Sequence, residues 1–405
     1  MFWEAKLEKI VNGIRTTNPL PLRLELWNGQ TYDLAPDTPP KVIVRVPGFE
    51  SLSCFLKPTL DSLGSAYVEG KIDVDGSLSD IVSMANDLSG MFETPASTTA
   101  AKFRHYFGGF HNRKIDKESI GYHYDVSNEF YQQWLDPNMV YSCGYFENEN
   151  DDLATAQIKK IDHILTKIKV KPGDRLLDIG CGWGALAIRA AEKFGAKVVG
   201  ITLSKNQHAL ATERVKAKGL EDQVDIRIQD YRDVEGTFDR ITSVGMFEHV
   251  GLRHMVEYFS IIRKLLTDDG LAMNHGITSC DAGSGSTPIS GGEFIEKYVF
   301  PNGELPHIGR VLQNMQEAGL EALDIENLRM HYAKTCGIWA ENFERVTEKV
   351  KKLTDEKRYR IWRVYLAGCS YAFEMDRIAV FQVLCTKSGK HFPAHGWNRN
   401  YMYQK

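Results

Sequence analysis

The stretch Leu176-Leu177-Asp178-Ile179-Gly180-Cys181-Gly182-Trp183-Gly184-Ala185 limits what this chain can fold into more than any other segment. A mostly apolar strand runs into a turn with three alternating glycines, and the turn opens into a helical pattern over 185–194. Gly180 permits a tight turn, Gly182 lets a ligand approach the backbone, and the helix N-terminus beyond offers unpaired N–H groups. An adenosine-bearing ligand suits that geometry. The string also fits the G-x-G-x-x-A form of a dinucleotide fingerprint, so a nicotinamide-dependent dehydrogenase has to be weighed.

What surrounds the loop sets the fold class. Strand and helix patterns alternate: Arg175 to Ile179, helix Ala185 to Phe194, Lys197 to Thr202, helix Ser204 to Lys218, then strands at Val224 to Ile228, Phe238 to Val244 and Leu271 to Asn274. This alternation predicts an α/β fold, a doubly wound, mostly parallel sheet with helices on both faces. Arg377 to Thr386 reads as a late strand added to it. The first 90 residues differ: Leu22, Leu24, Leu26 and Val42, Val44, Val46 repeat every second residue, with turns at Asn28-Gly29 and Pro47-Gly48 and a helical run from Ser79 to Leu88. A small α+β domain over 1–90 is expected, then a linker over 91–118 and a second domain over 119–405. The linker carries a basic and aromatic cluster, Phe103 to Lys114, that suits contact with a membrane surface.

Bulk properties exclude several classes. No segment approaches the run of about eighteen apolar residues that a membrane span needs. The charged N-terminal residues Glu4, Lys6, Glu8 and Lys9 do not suit a secretory leader. Seven scattered cysteines without a C-x-x-C pair argue against zinc or redox chemistry and for a reducing cytoplasm, and no metal is expected. A net charge of −4 lends nucleic-acid binding no electrostatic support.

The strand after the loop ends at Thr202-Leu203-Ser204, where a dinucleotide fold places a carboxylate for the ribose, so the dehydrogenase reading weakens. The D-x-G-x-G-x-G string resembles the first motif of class I S-adenosylmethionine-dependent methyltransferases. Further strings narrow this: Gly200 to Gln207, His123-Tyr124-Asp125, Tyr141 to Phe146, Gln229 to Arg232, Gly245 to Val250 and His331 to Thr335 together resemble the cyclopropane fatty acid and mycolic acid synthase family. The likeness covers residues 120 to 390. Leu63 to Gly70 adds a resemblance to the bacterial phospholipid enzymes of that family.

The resemblance implies methylation of the double bond of an unsaturated phospholipid acyl chain, closing a cyclopropane ring. The same family also holds enzymes that leave a methyl or methylene branch, and a non-catalytic lipid-binding protein is the rival of another class. The implied cofactor contacts are Tyr141, Ser142, Gly180, Gly182, Gly184, Thr202, Leu203, Ser204, Gln207, Gln229, Asp230 and Tyr231. A bound bicarbonate is implied as proton acceptor, gripped by Cys143, Glu248, His275, Tyr332 and the backbone of Ile277. Glu248 and His275 each follow an apolar strand, at the end of a parallel sheet where ligand sites collect. His275 can donate a hydrogen bond to an anion, but Glu248 makes sense beside one only if a proton is shared. Tyr332 offers a hydroxyl and a π-face to a developing cation. Cys369 resembles a recurrent family cysteine, but helix packing suits it better than catalysis, since alkene methylation needs no covalent enzyme intermediate. Residues 279 to 310 are expected to cover the substrate entrance. The expected partners are phospholipid on the inner face of the membrane and a second copy of the chain.

Overall fold

The computed structural model describes residues 2–55, 58–91, 126–281, 292–299, 304–389 and 397–403. The linker cluster, the His123-Tyr124-Asp125 string and part of the expected entrance insertion lie outside these residues. Contacts divide the chain into two compact units. The first is assembled from Met1–Tyr106, Pro288–Val299 and Phe343–Tyr371, and the second from the remaining stretches. Two segments that sequence assigned to the second domain therefore pack with the N-terminal residues.

In the first unit, β1 (Leu22–Leu26) pairs in parallel with β3 (Val42–Val46) and antiparallel with β2 (Thr31–Asp33), while β4 (Asp73–Asp75) closes the other edge. The period-two pattern has the expected cause, since Leu22, Leu24, Leu26, Val42, Val44 and Val46 are all buried in one core. The helix Phe2–Thr17, not foreseen from sequence, adds Leu7, Val11 and Ile14 to it at helical spacing. The late segments are bound in by polar contacts. Arg363 holds the Glu344 carboxylate at 2.9 and 3.1 Å and the Tyr67 hydroxyl at 2.9 Å, and Phe294 N donates to Asp61 Oδ1 at 2.7 Å.

The second unit is built on a seven-stranded sheet whose strands are β5 (Arg175–Ile179), β6 (Lys197–Thr202), β7 (Val224–Ile228), β8 (Phe238–Val244), β9 (Leu266–Ser279), β10 (Leu320–Asn327) and β11 (Ile378–Lys387). Their spatial order is β10-β11-β9-β8-β5-β6-β7. The five strands from β5 to β9 are mutually parallel, as the strand-helix alternation predicts, and β11 runs antiparallel between β9 and β10. The sheet is that of a class I methyltransferase. β11 is thus an inner strand, and β10 had no distinct signal because its burial is irregular, with Glu321, Asp324 and Glu326 among its residues.

β9 is longer than its sequence pattern indicated, and its far end fixes the site. Gly276 there packs so closely on the turn after β8 that a Cβ would lie 1.8 Å from the Phe247 ring. Gly276→Ala is expected to cost about 1–3 kcal/mol through overpacking. Thermal or urea unfolding would read this, and an unchanged transition would mean that the ring does not lie on β9.

Candidate active site

The glycine loop forms one wall of a cleft at the carboxyl ends of β5, β6 and β8. Gly180, Gly182 and Gly184 have φ of 78°, 55° and 84°, a region that residues with side chains rarely adopt. A Cβ on Gly180 would touch Met246 at 3.1 Å and one on Gly184 would touch Ala211 at 3.2 Å, but one on Gly182 would meet nothing within 4 Å. Gly182 is therefore the glycine that leaves room for a ligand, and Gly184 is a packing residue at the start of the helix Ala185–Phe194.

Tyr141, Ser142, Gly180, Gly182, Thr202, Leu203, Gln207, Gln229, Asp230 and Tyr231 line the cleft as expected, whereas Gly184 and Ser204 do not. Ser204 is turned to another task, its hydroxyl accepting from Gln207 N at 3.3 Å to cap the helix Lys205–Ala217. Thr202 Oγ1 donates to Gln207 Oε1 at 2.8 Å, and this neutral pair occupies the place of the usual ribose carboxylate. Asp230 is paired with Arg232 at 2.6 Å on the same wall. The open Gly182 and the uncharged Thr202-Gln207 pair fit S-adenosylmethionine.

Sequence reasoning missed Lys160, which also lines the cleft. It is 2% exposed, and its ammonium donates to Ser142 Oγ at 2.7 Å. Burial lowers its pKa to about 8, against the pull of Cys143, Asp136 and Asp178. The signal was available: in the helix Leu153–Lys167, residues 153, 156, 157, 160, 161 and 164 form the buried stripe, so a lysine stands at an apolar position. Nearby, Asp178 accepts from Thr242 Oγ1 at 2.8 Å, and burial raises its pKa to about 6.

The second group of candidates gathers where β9 outruns β8. The ladder between them ends with Val244 opposite His275, and Gly245 N donates to the His275 carbonyl at 2.8 Å. Beyond that point the Ile277 amide donates to Glu248 Oε1 at 2.7 Å. The Ile277 N–H expected to face an anion is thus already engaged by a carboxylate that sits on the turn after β8. Glu248 Oε2 and both ring nitrogens of His275 are buried without hydrogen-bond partners. Each such atom costs about 1–3 kcal/mol, so their concentration at one point marks a place where a polar ligand completes the bonding.

Burial raises the Glu248 pKa to about 7, with the Ile277 amide pulling the other way. Burial also drives the His275 pKa well below its usual value, assisted by the charges of Lys160 and Lys167 and opposed by Glu326. A neutral imidazole has one donor and one acceptor nitrogen. A carboxyl that titrates near neutrality can share a proton. Together these features fit bicarbonate.

Cys143 is fully buried, and burial keeps its thiol protonated. Its Sγ lies 3.2 Å from its neighbour's carbonyl at Gly144 and 3.8 Å from that of Leu328. Gly144 N donates to Thr335 Oγ1 at 3.0 Å, tying this segment to the helix Arg329–Arg345 that carries Tyr332. Tyr332 stacks on Phe373 at 4.6 Å and meets Trp339 edge-on at 5.9 Å. Burial raises the pKa of its hydroxyl, and Cys336, Tyr141, Cys143 and Glu248 all lie near enough to act on it. Cys369 lies in the portion of the helix Glu356–Glu374 that belongs to the first unit, and burial raises its thiol to about 12. It is a protonated, unreactive thiol. Among the described residues, no group of His, Cys, Asp and Glu has the makings of a metal site, and no helix is long and apolar enough to cross a membrane.

Residues 111–383 match the mycolic acid cyclopropane synthetase family. The chain belongs to that family. Residues 10–97 match a separate domain of unknown function. The chain is 45% identical over 391 residues to a probable fatty acid methyltransferase of Pseudomonas putida, covering 95% of this chain and 97% of that one. It is 38% identical to the cyclopropane-fatty-acyl-phospholipid synthase of Escherichia coli over 65% of its own length and 66% of the relative's. The structure of mycolic acid cyclopropane synthase CmaA1 complexed with SAH and CTAB is similar at 35% identity and a TM-score of 0.64, covering 67% of this chain and 98% of that one. This member of the family is therefore an S-adenosylmethionine-dependent methyltransferase.

Two variants test the site. Gly182→Val places a β-branched side chain in the open space of the cleft and at a left-handed position that costs about 1–2 kcal/mol. Titration should show a fall of about tenfold or more in affinity for S-adenosylmethionine in a protein that still folds, and native affinity would mean that the cofactor lies elsewhere. Glu248→Gln tests the buried carboxyl. With its pKa at about 7 against an ordinary 4.5, the folded protein holds a proton between those values that the unfolded chain has released. That contribution is complete below pH 4.5 and is lost as pH rises through 7. The variant should thus match the native protein near pH 4 and exceed its stability by about 3 kcal/mol at pH 8. Equal stability differences at the two pH values would show that Glu248 does not titrate this way.

Proposed function

We propose that the protein transfers the methyl carbon of S-adenosylmethionine to the cis double bond of an unsaturated phospholipid acyl chain and closes a cyclopropane ring. The observation that carries this reading is the set of buried, unpaired atoms on Glu248 and His275 at the end of β9, beside the glycine-loop cleft. A methyltransferase acting on an alcohol or amine releases a proton from the attacking heteroatom itself. An alkene gives a carbocation, and ring closure requires a proton to leave the newly added carbon, so an additional base has to be held in the site.

An alkene is also a weak nucleophile, which makes positioning and exclusion of water most of the catalytic task. Bound S-adenosylmethionine supplies the electrophilic methyl group. Tyr141, Ser142, Thr202, Gln207 and the glycine loop hold it, with Lys160 fixing the Ser142 hydroxyl. Tyr332 presents its ring to the developing cation. Glu248 and His275 hold a bicarbonate as base, the first sharing a proton and the second supplying a neutral ring nitrogen. The substrate lies in a bilayer, so the reaction belongs at the membrane surface. The 45% likeness to a probable fatty acid methyltransferase is equally consistent with one other outcome, a methylene branch or a methyl branch on a retained double bond, formed when the cation loses a proton without closing the ring.

Incubation with S-adenosylmethionine and vesicles of unsaturated phospholipid should give cyclopropane esters by gas chromatography and mass spectrometry. Branched esters would remove ring closure, and unchanged lipid would leave a binding protein. Stripping carbonate should slow the native enzyme and its return should restore the rate, whereas Glu248→Gln should keep cofactor affinity, lose most product and respond weakly to added bicarbonate. Native turnover indifferent to bicarbonate under rigorous exclusion of carbon dioxide would overturn the assigned base.

A further inference from the structure

β11 brings Gln382 alongside His275. The two are directly opposed in the antiparallel ladder, and Gln382 is in turn opposed to Glu326 on β10. Directly opposed residues on antiparallel neighbours share one face of the sheet, with Cβ atoms about 4.5–5.5 Å apart. Glu326, Gln382 and His275 therefore make one row across three strands. The row starts in a charged cluster, where Glu326 Oε2 accepts from Lys167 at 2.6 Å and lies 2.8 Å from His163 Nε2. It ends at the imidazole. Between them Gln382 is 0% exposed, and neither its amide nitrogen nor its amide oxygen has a hydrogen-bond partner.

An unpaired buried amide in a sheet costs more than an apolar residue of the same size, so Gln382 is a poor filler. Its place suggests its use. β8 and β11 flank β9 on opposite sides. Glu248 follows β8 and bonds to β9 at Ile277, past the end of the β8 ladder, while Gln382 stands on the β11 flank. His275 lies between the two, and neither of its ring nitrogens has a hydrogen-bond partner.

We propose that Gln382 is a positioning residue for His275, its side-chain amide taking one ring nitrogen as partner, fixing the tautomer of the neutral imidazole and turning the other nitrogen toward Glu248. The proposal rests on the assignment of His275 to the bicarbonate site. The Glu326 carboxylate attracts the NH₂ end of the amide, which leaves the amide oxygen to accept from the imidazole N–H. The nitrogen on the Glu248 side is then an acceptor, suited to the hydroxyl hydrogen of bicarbonate and not to its charged oxygens. This reverses the donor role expected of His275 from sequence. Held by its hydroxyl, the anion keeps its oxygen charge free for the departing proton.

The ¹⁵N shifts of labelled histidine separate the two neutral tautomers, and His275 is identified among the 12 histidines by loss of its signal in His275→Gln. The native protein should show one tautomer at His275. Gln382→Met keeps the volume and removes the hydrogen bond. It should leave affinity for S-adenosylmethionine and the melting temperature near native, mix the His275 tautomers and lower kcat about tenfold. Gln382→Glu keeps an acceptor oxygen in place and should retain one tautomer and more of the rate. Both tautomers at His275 in the native protein would overturn the proposal, as would a Gln382→Met protein with native kcat and a single tautomer. Should Gln382→Met fail to fold, the native spectrum and Gln382→Glu still decide. The tautomer measurement needs no substrate, so a product other than cyclopropane would count against the proposed reaction alone.

Discussion

The unequal lengths of β8 and β9 are the constraint on which the candidate site depends. In a parallel pair each strand's edge is normally taken up by its neighbour, and an inner strand has no backbone groups to spare. Here the ladder ends with Val244 opposite His275 while β9 continues to Ser279, so the edge of β9 beyond His275 has lost its partner on that side. The chain leaving β8 turns at Gly245 and returns Glu248 to that edge, where it captures the Ile277 amide. One carboxylate oxygen is used to finish the sheet, and the other has no hydrogen-bond partner.

The second unit buries charge that adds little to the stability of its fold. Lys160 and Lys167 are almost fully buried, and Lys167 is balanced by Asp324 at 3.1 Å and Glu326 at 2.6 Å. Such groups commonly stabilise a protein less than apolar residues of equal volume would. Burial is the main reason that His275 stays neutral, and the ammonium charges of Lys160 and Lys167 add to it. Asp178 and Glu248, with pKa values moved up to about 6 and about 7, show the complementary effect of burial on acids.

Much of this was legible in the sequence, and the limits were physical. The glycine loop, the strand-helix alternation and the alternating leucines and valines of the first unit each obey a local rule, and each formed as read. Gly184 and Ser204 lie off the cleft lining, and a motif string does not distinguish a glycine that faces a ligand from one that faces Ala211, or a polar residue that binds from one that caps. Lys160 stood at a readable helical position, but its chemistry contradicts the pattern that reveals it. Gln382 carried no signal, since its importance comes from register across β10, β11 and β9, and register is a property of strand pairs distant in sequence. The recruitment of Gly292–Tyr298 and part of Glu356–Glu374 to the first unit depends on contacts such as those of Arg363 with Tyr67, which are equally non-local.

That recruitment bears on the order in which the protein is made. The first unit contains the residues that leave the ribosome earliest, yet it is not complete until Tyr371 has been added. During the intervening synthesis the core around Leu24 and Val44 lacks the cover that the later segments provide, and the hydroxyl of Tyr67 lacks its guanidinium. The glycine loop and the parallel strands β5 to β9 emerge within that interval, but their sheet waits for β11, which pairs with β9 and ends only at Lys387. Vectorial synthesis thus completes neither unit early, and the N-terminal core waits for its late segments while open to chaperones and proteases.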